Sequence, residues 1–387
     1  MIIYADNAAT TRMSKAAIDA MLPYFDQVYA NPSALHSAGQ RAAMGLHRSR
    51  ETIAEILGCA AGEIYFTSGG SESDNQAILS AAEVGEKNEK KHIISSKIEH
   101  PAVLQTLEKL KKRGFQITLL DAHENGVVRP EELAAAMQPN TALVTIMYAN
   151  HEIGSIQPID RLGKICREKG VLFHTDAVQA VGHLPIDVET DQIDLLSFSA
   201  HKFHGPKGVG GLYARRGIAL TKLIDGGGQE HGKRAGTENI PAIVGMAAAL
   251  KEAVGRMEED VAKLTLLRDR LIHSLMRIPG TVLNGDPALR LPGNVNFCFE
   301  GIESESLLLL LDREGIAASS GSACASGSLD PSHVLLAIGC SPAASRRSLR
   351  ISLSRDNTSE EIEYLIKTIS EVVSYLREAS SPTKKER

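Results

Sequence analysis

The chain has 387 residues, 43% of them hydrophobic and 23% charged, with Lys+Arg 42 against Asp+Glu 47 for a formal net charge of −5. That length and balance fit one large domain plus a smaller one, need no disulfide staples, and exclude a disordered chain. Mild acidity argues against nucleic acid or an anionic membrane as main partner, and no apolar run approaches the ~18 residues of a membrane span.

The opening MIIYADNAATTR carries Asp6 and no apolar stretch, so no signal peptide is expected. The cysteines are Cys59, Cys166, Cys298, Cys324 and Cys340, odd in number and without a CxxC pair. They suit a reducing, cytoplasmic location and suggest neither a disulfide framework nor a metal site. From residue 63 onward, β-rich runs alternate with helical spacing. EIYFT (63–67) precedes a helix over 71–84, and HIISS (92–96) a helix over 101–113. QITLL (116–120) precedes a helix over 130–138, and ALVTIM (142–147) a helix over 158–169. VLFHTD (171–176), DLLSFS (194–199) and VGGLYA (209–214) complete the series. Pro101 and Gly114 bracket the second helix as first-turn proline and terminal glycine. The alternation predicts an α/β fold, a mostly parallel sheet covered by helices on both faces.

Near residue 241 the pattern changes. One long helical stretch runs from Pro241 towards Ile278, followed by NVNFCF (294–299), a helix around 304–314, IAASS (316–320) and SLRISL (348–353). A last helix opens at Thr358, where Thr358-x-x-Glu361 reads as a capping box. The expected division is a large domain over 13–255 and a smaller α+β domain from 1–12 and 256–387, carrying a cysteine loop.

Four segments at predicted strand ends carry chemistry, where open α/β sheets place ligands. TSGGSESDN (67–75) offers a glycine turn and a helix start suited to phosphate, or else a plain turn with a Ser71-x-x-Asp74 cap. HTDAVQ (174–179) sets Asp176 just past an apolar strand, with Gln179 three residues on. SFSAHKFHGPKG (197–208) puts Lys202 at the end of a core strand, either a Schiff-base amine or a lysine reaching for the surface. SSGSACASGSLDPSH (319–333) surrounds Cys324 with small polar residues, marking a nucleophilic thiol or an idle loop cysteine. Cys340, near a turn, is the second candidate thiol. Together the helix start, Asp176 and Lys202 match the needs of pyridoxal phosphate: a phosphate cradle, a partner for the pyridine nitrogen, and an amine for the aldehyde.

At this point the sequence resembles the cysteine desulfurases of the NifS/IscS kind in the class V aminotransferase family. IEHPAV, HTDAVQ, FSAHKFHGPKG, GGGQEHGKRAGTEN and SSGSACASGSLDPS carry the likeness, flanked by YADNAATTR, NPSALH and SLRISLSR. The resemblance implies a fold type I homodimer that uses pyridoxal phosphate to convert L-cysteine to L-alanine. The sulfur passes to Cys324 as a persulfide, then to an acceptor protein such as an iron–sulfur scaffold. It implies Lys202 as the Schiff-base lysine, His100 stacked on the cofactor as an acid/base, and Asp176 on the pyridine nitrogen. Gln179 and His151 would face the phenolic oxygen, His151 standing where relatives carry Asn. Gly70, Ser71, Ser199 and His201 would hold the phosphate, with Thr237 reaching over from the other subunit. Arg350 and Asn31 would bind the substrate. The rivals are selenocysteine lyase, a transaminase with no need of Cys324, and a non-catalytic relative that only binds a scaffold.

Overall fold

Seven strands form the central sheet in the order β2-β8-β7-β6-β5-β3-β4. They are β2 (Ile64–Thr67), β3 (His92–Ser96), β4 (Gln116–Leu120), β5 (Thr141–Thr145), β6 (Leu172–Asp176), β7 (Leu195–Ser199) and β8 (Gly210–Ala214). The computed structural model describes residues 2–321 and 331–380. Only β8 runs against its neighbours β7 and β2; the pairs from β4 to β7 are parallel. Successive residues alternate between the two faces. Ile93, Leu143 and Leu195 pack under the Gly70–Lys87 and Pro101–Lys112 helices. Ile94, Val144 and Leu196 face the opposite layer, with Ile53, Leu162 and Met246 from the Ser37–Leu57, Ile159–Lys169 and Ile240–Gly255 helices. Both faces are therefore covered, which is why β3, β5 and β7 are buried along their whole length. Buried His92 is satisfied within the sheet, bonding Thr141 Oγ1 at 2.8 Å and Thr118 Oγ1 at 2.9 Å.

A second set of strands lies beyond, with β9 (Thr281–Leu283), β10 (Asn294–Phe299) and β12 (Ser348–Ser352) antiparallel in the order β12-β10-β9. The strand β1 (Ile3–Tyr4) pairs in parallel with β11 (Ile316–Ala317), so the first residues pack among the last third of the chain. Their core holds Ile3, Leu271, Phe297, Leu307, Ile351 and Leu365.

Two expected elements differ. The long stretch from Pro241 is two helices, Ile240–Gly255 and Met257–Leu275, separated by Arg256 at φ −112°, ψ 2°. Gly255 weakens the first helix. Glu258, Glu259 and Asp260 then suit the positive end of a new one. The IAASS run is a strand only at Ile316–Ala317, because its neighbour β1 is two residues long, and beyond it Ser319 makes a single antiparallel bridge to Arg350. The predicted cap is present in both directions: Thr358 Oγ1 accepts from Glu361 N at 3.3 Å, and Glu361 Oε2 accepts from Thr358 N at 3.1 Å.

Candidate active site

The carboxyl ends of β2, β6 and β7 meet at one cavity of about 230 Å³. Its wall contains Gly70, Ser71, His100, His151, Asp176, Gln179, Ser199, His201 and Lys202. The segments that sequence reading separated by more than a hundred residues thus converge, for a topological reason: parallel strands put the residues that follow them on one edge.

The turn after β2 shapes the first side. Gly69 has φ 153° and ψ −178°, a conformation open essentially to glycine alone. It passes under β8 so closely that a Cβ on Gly210 would lie 2.7 Å from Gly69 Cα. The Gly70–Lys87 helix starts there, bringing unpaired N–H groups and its positive dipole end to the wall beside Ser71 and Ser199. The Ser71-x-x-Asp74 cap is not what forms. Ser68 N instead donates to Glu72 Oε2 at 2.8 Å, and Asp74 turns into the cavity.

Acidic and basic groups sit opposite one another. Asp176 is 6% exposed, and its Oδ1 accepts from Val178 N at 3.0 Å. Burial pushes its carboxyl above the ordinary value, while His100 and Lys202 pull it back down. Asp74 is 1% exposed, its Oδ1 lacks a hydrogen bond among the described residues, and burial with the nearby Asp176 charge raises it well above the usual range. Lys202 follows β7 in a single 3-10 turn, Ala200–Lys202, and its Nζ donates to Ala8 O at 2.5 Å and Ala9 O at 2.9 Å. Gln179 Nε2 donates to the same Ala8 carbonyl at 3.0 Å. The N-terminal segment is thereby tied to the cavity.

His100 caps the Pro101–Lys112 helix, its Nδ1 accepting from Ala102 N at 3.1 Å. Its ring meets His151 edge-on, centroids 5.6 Å apart. Burial lowers the pKa of His100, and burial with the His100, Arg350 and Lys202 charges drives His151 well below the imidazole range. His201 bonds Thr10 Oγ1 through Nδ1 at 3.1 Å and is lowered to about 4 by burial and the adjacent Lys202.

Other expected residues lie elsewhere. Arg350, 1% exposed on β12, donates from Nη2 to Asp6 Oδ1 at 2.8 Å and from Nη1 to His151 O at 3.3 Å, behind the cavity wall. Its Nε has no hydrogen-bond partner among the described residues. Asn31 occupies an exposed turn, Oδ1 accepting from Ser33 N at 2.9 Å, and is not brought to the cavity. Thr237 lines a separate cavity of about 160 Å³ with Ser68 and Glu230. Cys324 lies outside the described residues. Cys340 is half-buried and packs beside Ile338 and Val334, away from the cavity wall.

Sequence reading named Asp74 only as a cap and passed over Glu99, which is fully buried with Oε1 accepting from Met147 N at 3.0 Å. A carboxylate directly before His100 inside an apolar context was the available signal. The donor and acceptor set fits pyridoxal phosphate. Orphaned Asp74 Oδ1 and buried Asp176 form an acidic end for a protonated ring nitrogen. The helix start with Ser71 and Ser199 offers donors for a phosphate, and an amine stands between.

A protein-family model described as aminotransferase class-V matches residues 3–365. The chain is 50% identical over 384 residues to a protein of Methanosarcina thermophila named cysteine desulfurase IscS, covering 99% of this chain and 95% of that one. A solved NifS-like protein superposes with TM-score 0.91 at 39% identity, covering 97% of this chain and 100% of the other. A structure described as SspA in complex with cysteine superposes with TM-score 0.79 at 37% identity, covering 92% and 99%.

Proposed function

The chain belongs to the aminotransferase class-V family, and from that premise we propose that it is a pyridoxal-phosphate-dependent cysteine desulfurase. It takes L-cysteine, releases L-alanine and passes the sulfur on as a persulfide of Cys324. The observation that carries this reading is the single cavity in which Lys202, Asp176 and the Gly70 helix start meet. The named relatives, and the cysteine complex of a similar fold, support the substrate.

Gly70, Ser71, Ser199 and His201 hold the phosphate, and Asp176 takes the proton-bearing ring nitrogen. Gln179 and His151 would bind the cofactor's phenolic oxygen, and His100 would pack on its ring. When bound, the cofactor supplies an aldehyde and an electron-accepting ring. Lys202 is the amine that exchanges with the substrate and then takes up the Cα proton. Arg350 receives the substrate carboxylate by exchanging its contact with Asp6, a bidentate task suited to a guanidinium. His100, kept neutral by burial, accepts the substrate thiol proton at Nδ1 by giving up its contact with Ala102 N. The Cys324 thiolate forms an S–S bond to the substrate sulfur as the substrate's C–S bond breaks. Thr237, off the main cavity of its own chain, suits a homodimer in which it completes the neighbour's phosphate site. The acceptor is a protein thiol or an iron–sulfur scaffold, and the free cysteines favour a cytoplasmic setting.

The test is Lys202→Ala in purified protein supplied with pyridoxal phosphate. Alanine formation from L-cysteine falls by about two to four powers of ten. Turnover near the parent rate would refute the lysine's role.

A further inference from the structure

Away from the cavity, two thiols that the reaction does not use stand side by side. Cys298 is in the middle of the small sheet on β10, 7% exposed. Cys340 follows the short His333–Ala337 helix, half-buried at a turn. One amide serves both: Asn284 Nδ2 donates to Cys298 Sγ at 3.2 Å, and Cys340 Sγ donates to Asn284 Oδ1 at 3.6 Å. As a thiol, Cys298 Sγ also donates to Ala344 O at 3.3 Å, in the helix after Cys340. Neither sulfur is in a disulfide.

We propose that Cys298 and Cys340 are a redox-modification site, a dithiol that a hydroperoxide converts to a disulfide.

The arrangement favours a thiolate at Cys298. The neighbouring Cys340 thiol, with the Asn284 amide and the Arg347 charge, lowers Cys298 to about 7, whereas Cys340 holds its proton. A thiol in this range is substantially ionised near neutrality and reacts as a nucleophile. The half-buried Cys340 side is where a small peroxide reaches the pair. Cys298 Sγ attacks the hydroperoxide, forming an S–O bond while the O–O bond breaks and an alcohol or water leaves with a proton. Cys340 Sγ, giving up its proton, then attacks the sulfenic sulfur; the S–S bond forms, the S–O bond breaks, and water leaves. The two sulfurs lose two electrons and the peroxide gains them. Apolar neighbours Ile338 and Phe297 do not compete for the oxidant. An isolated buried cysteine, such as Cys166, which burial drives far above its ordinary value, has neither the ionisation nor the partner.

The experiment uses full-length holoenzyme carrying Cys324→Ala, so that the sulfur-accepting thiol cannot contribute. It is treated with hydrogen peroxide, denatured in N-ethylmaleimide, digested and mapped by mass spectrometry. The expected product is a cross-linked peptide pair joining Cys298 to Cys340, lighter by two hydrogens and unlabelled at both. Dithiothreitol before labelling restores both labels, while Cys59 and Cys166 are labelled throughout. In Cys340→Ser the sulfenic acid on Cys298 persists and is captured by dimedone. Full labelling of Cys298 and Cys340 after peroxide would overturn the proposal. So would sulfonic acid on one sulfur with the other free.

Discussion

His151 is 6% exposed, with His100, Arg350 and Lys202 beside it, so a proton on its ring is opposed first by burial and then by the positive charge around it, that of Arg350 and Lys202 above all. It stays neutral across the physiological range and can replace an asparagine as a hydrogen-bonding group, but it does not serve as a titrating switch. Absorbance–pH curves of the cofactor-loaded parent and of His151→Asn are therefore expected to superimpose between about pH 5.5 and 8, where an ordinary imidazole titrates. An inflection confined to the parent in that window would show a charged His151. Glu99 behaves in the opposite sense. Burial raises its carboxyl from 4.5 to about 8, so the folded chain keeps a proton that the unfolded chain releases. Its contribution to stability is level below about pH 4.5, declines as pH rises to about 8, and is level above. Glu99→Gln has no such proton to lose. Denaturant unfolding at pH 5 and pH 8 is expected to show a smaller drop for the variant than for the parent; equal drops would mean that Glu99 is ionised throughout. Lys202 and Asp176 were legible in the sequence because each stands beside a buried strand with unusual neighbours. Asp74 and Glu99 were not, since only the tertiary packing shows that these carboxylates are buried rather than capping or solvated.

At the scale of elements, the sheet strands were legible to within a residue or two because both faces are buried, and each run is bounded by turn residues. The break at Arg256 was not, because the apolar spacing continues through it and only the local competition between Gly255 and the acidic turn behind it decides. The IAASS run is shorter as a strand than its composition suggests, because its pairing depends on β1, more than three hundred residues away in sequence, and on one bridge from Ser319 to Arg350. On the proposed reading, the turn at Gly69 shapes the phosphate end of the site. An alanine there must adopt φ 153°. Gly69→Ala is expected to cost about 1–3 kcal/mol of unfolding free energy and to weaken binding of pyridoxal phosphate at the same time. Equilibrium unfolding and a cofactor titration read the two effects. Unchanged stability with unchanged affinity would show that the turn has room to relax.

At the scale of the whole molecule, the N-terminal segment ties the two groups of elements together. β1 pairs with β11, Asp6 bridges to Ser352 and binds Arg350, and the carbonyls of Ala8 and Ala9 accept from Lys202. We read the chain as a 13–255 domain and a 1–12 plus 256–387 domain, a division supported by separate apolar cores and the helix break at Arg256. On that reading, the sheet edge supplies the cofactor site, and the second group supplies Arg350 and the segment bearing Cys324. The central claim is that these parts perform one reaction, and a single turnover tests it most directly. Cofactor-loaded protein receives one equivalent of L-cysteine without reductant; released amino acid is quantified and the protein is mapped by mass. The account predicts one alanine per chain and one added sulfur atom on the peptide containing Cys324. Absence of alanine, its replacement by pyruvate and ammonia, or sulfur on another cysteine with Cys324 unmodified would contradict it.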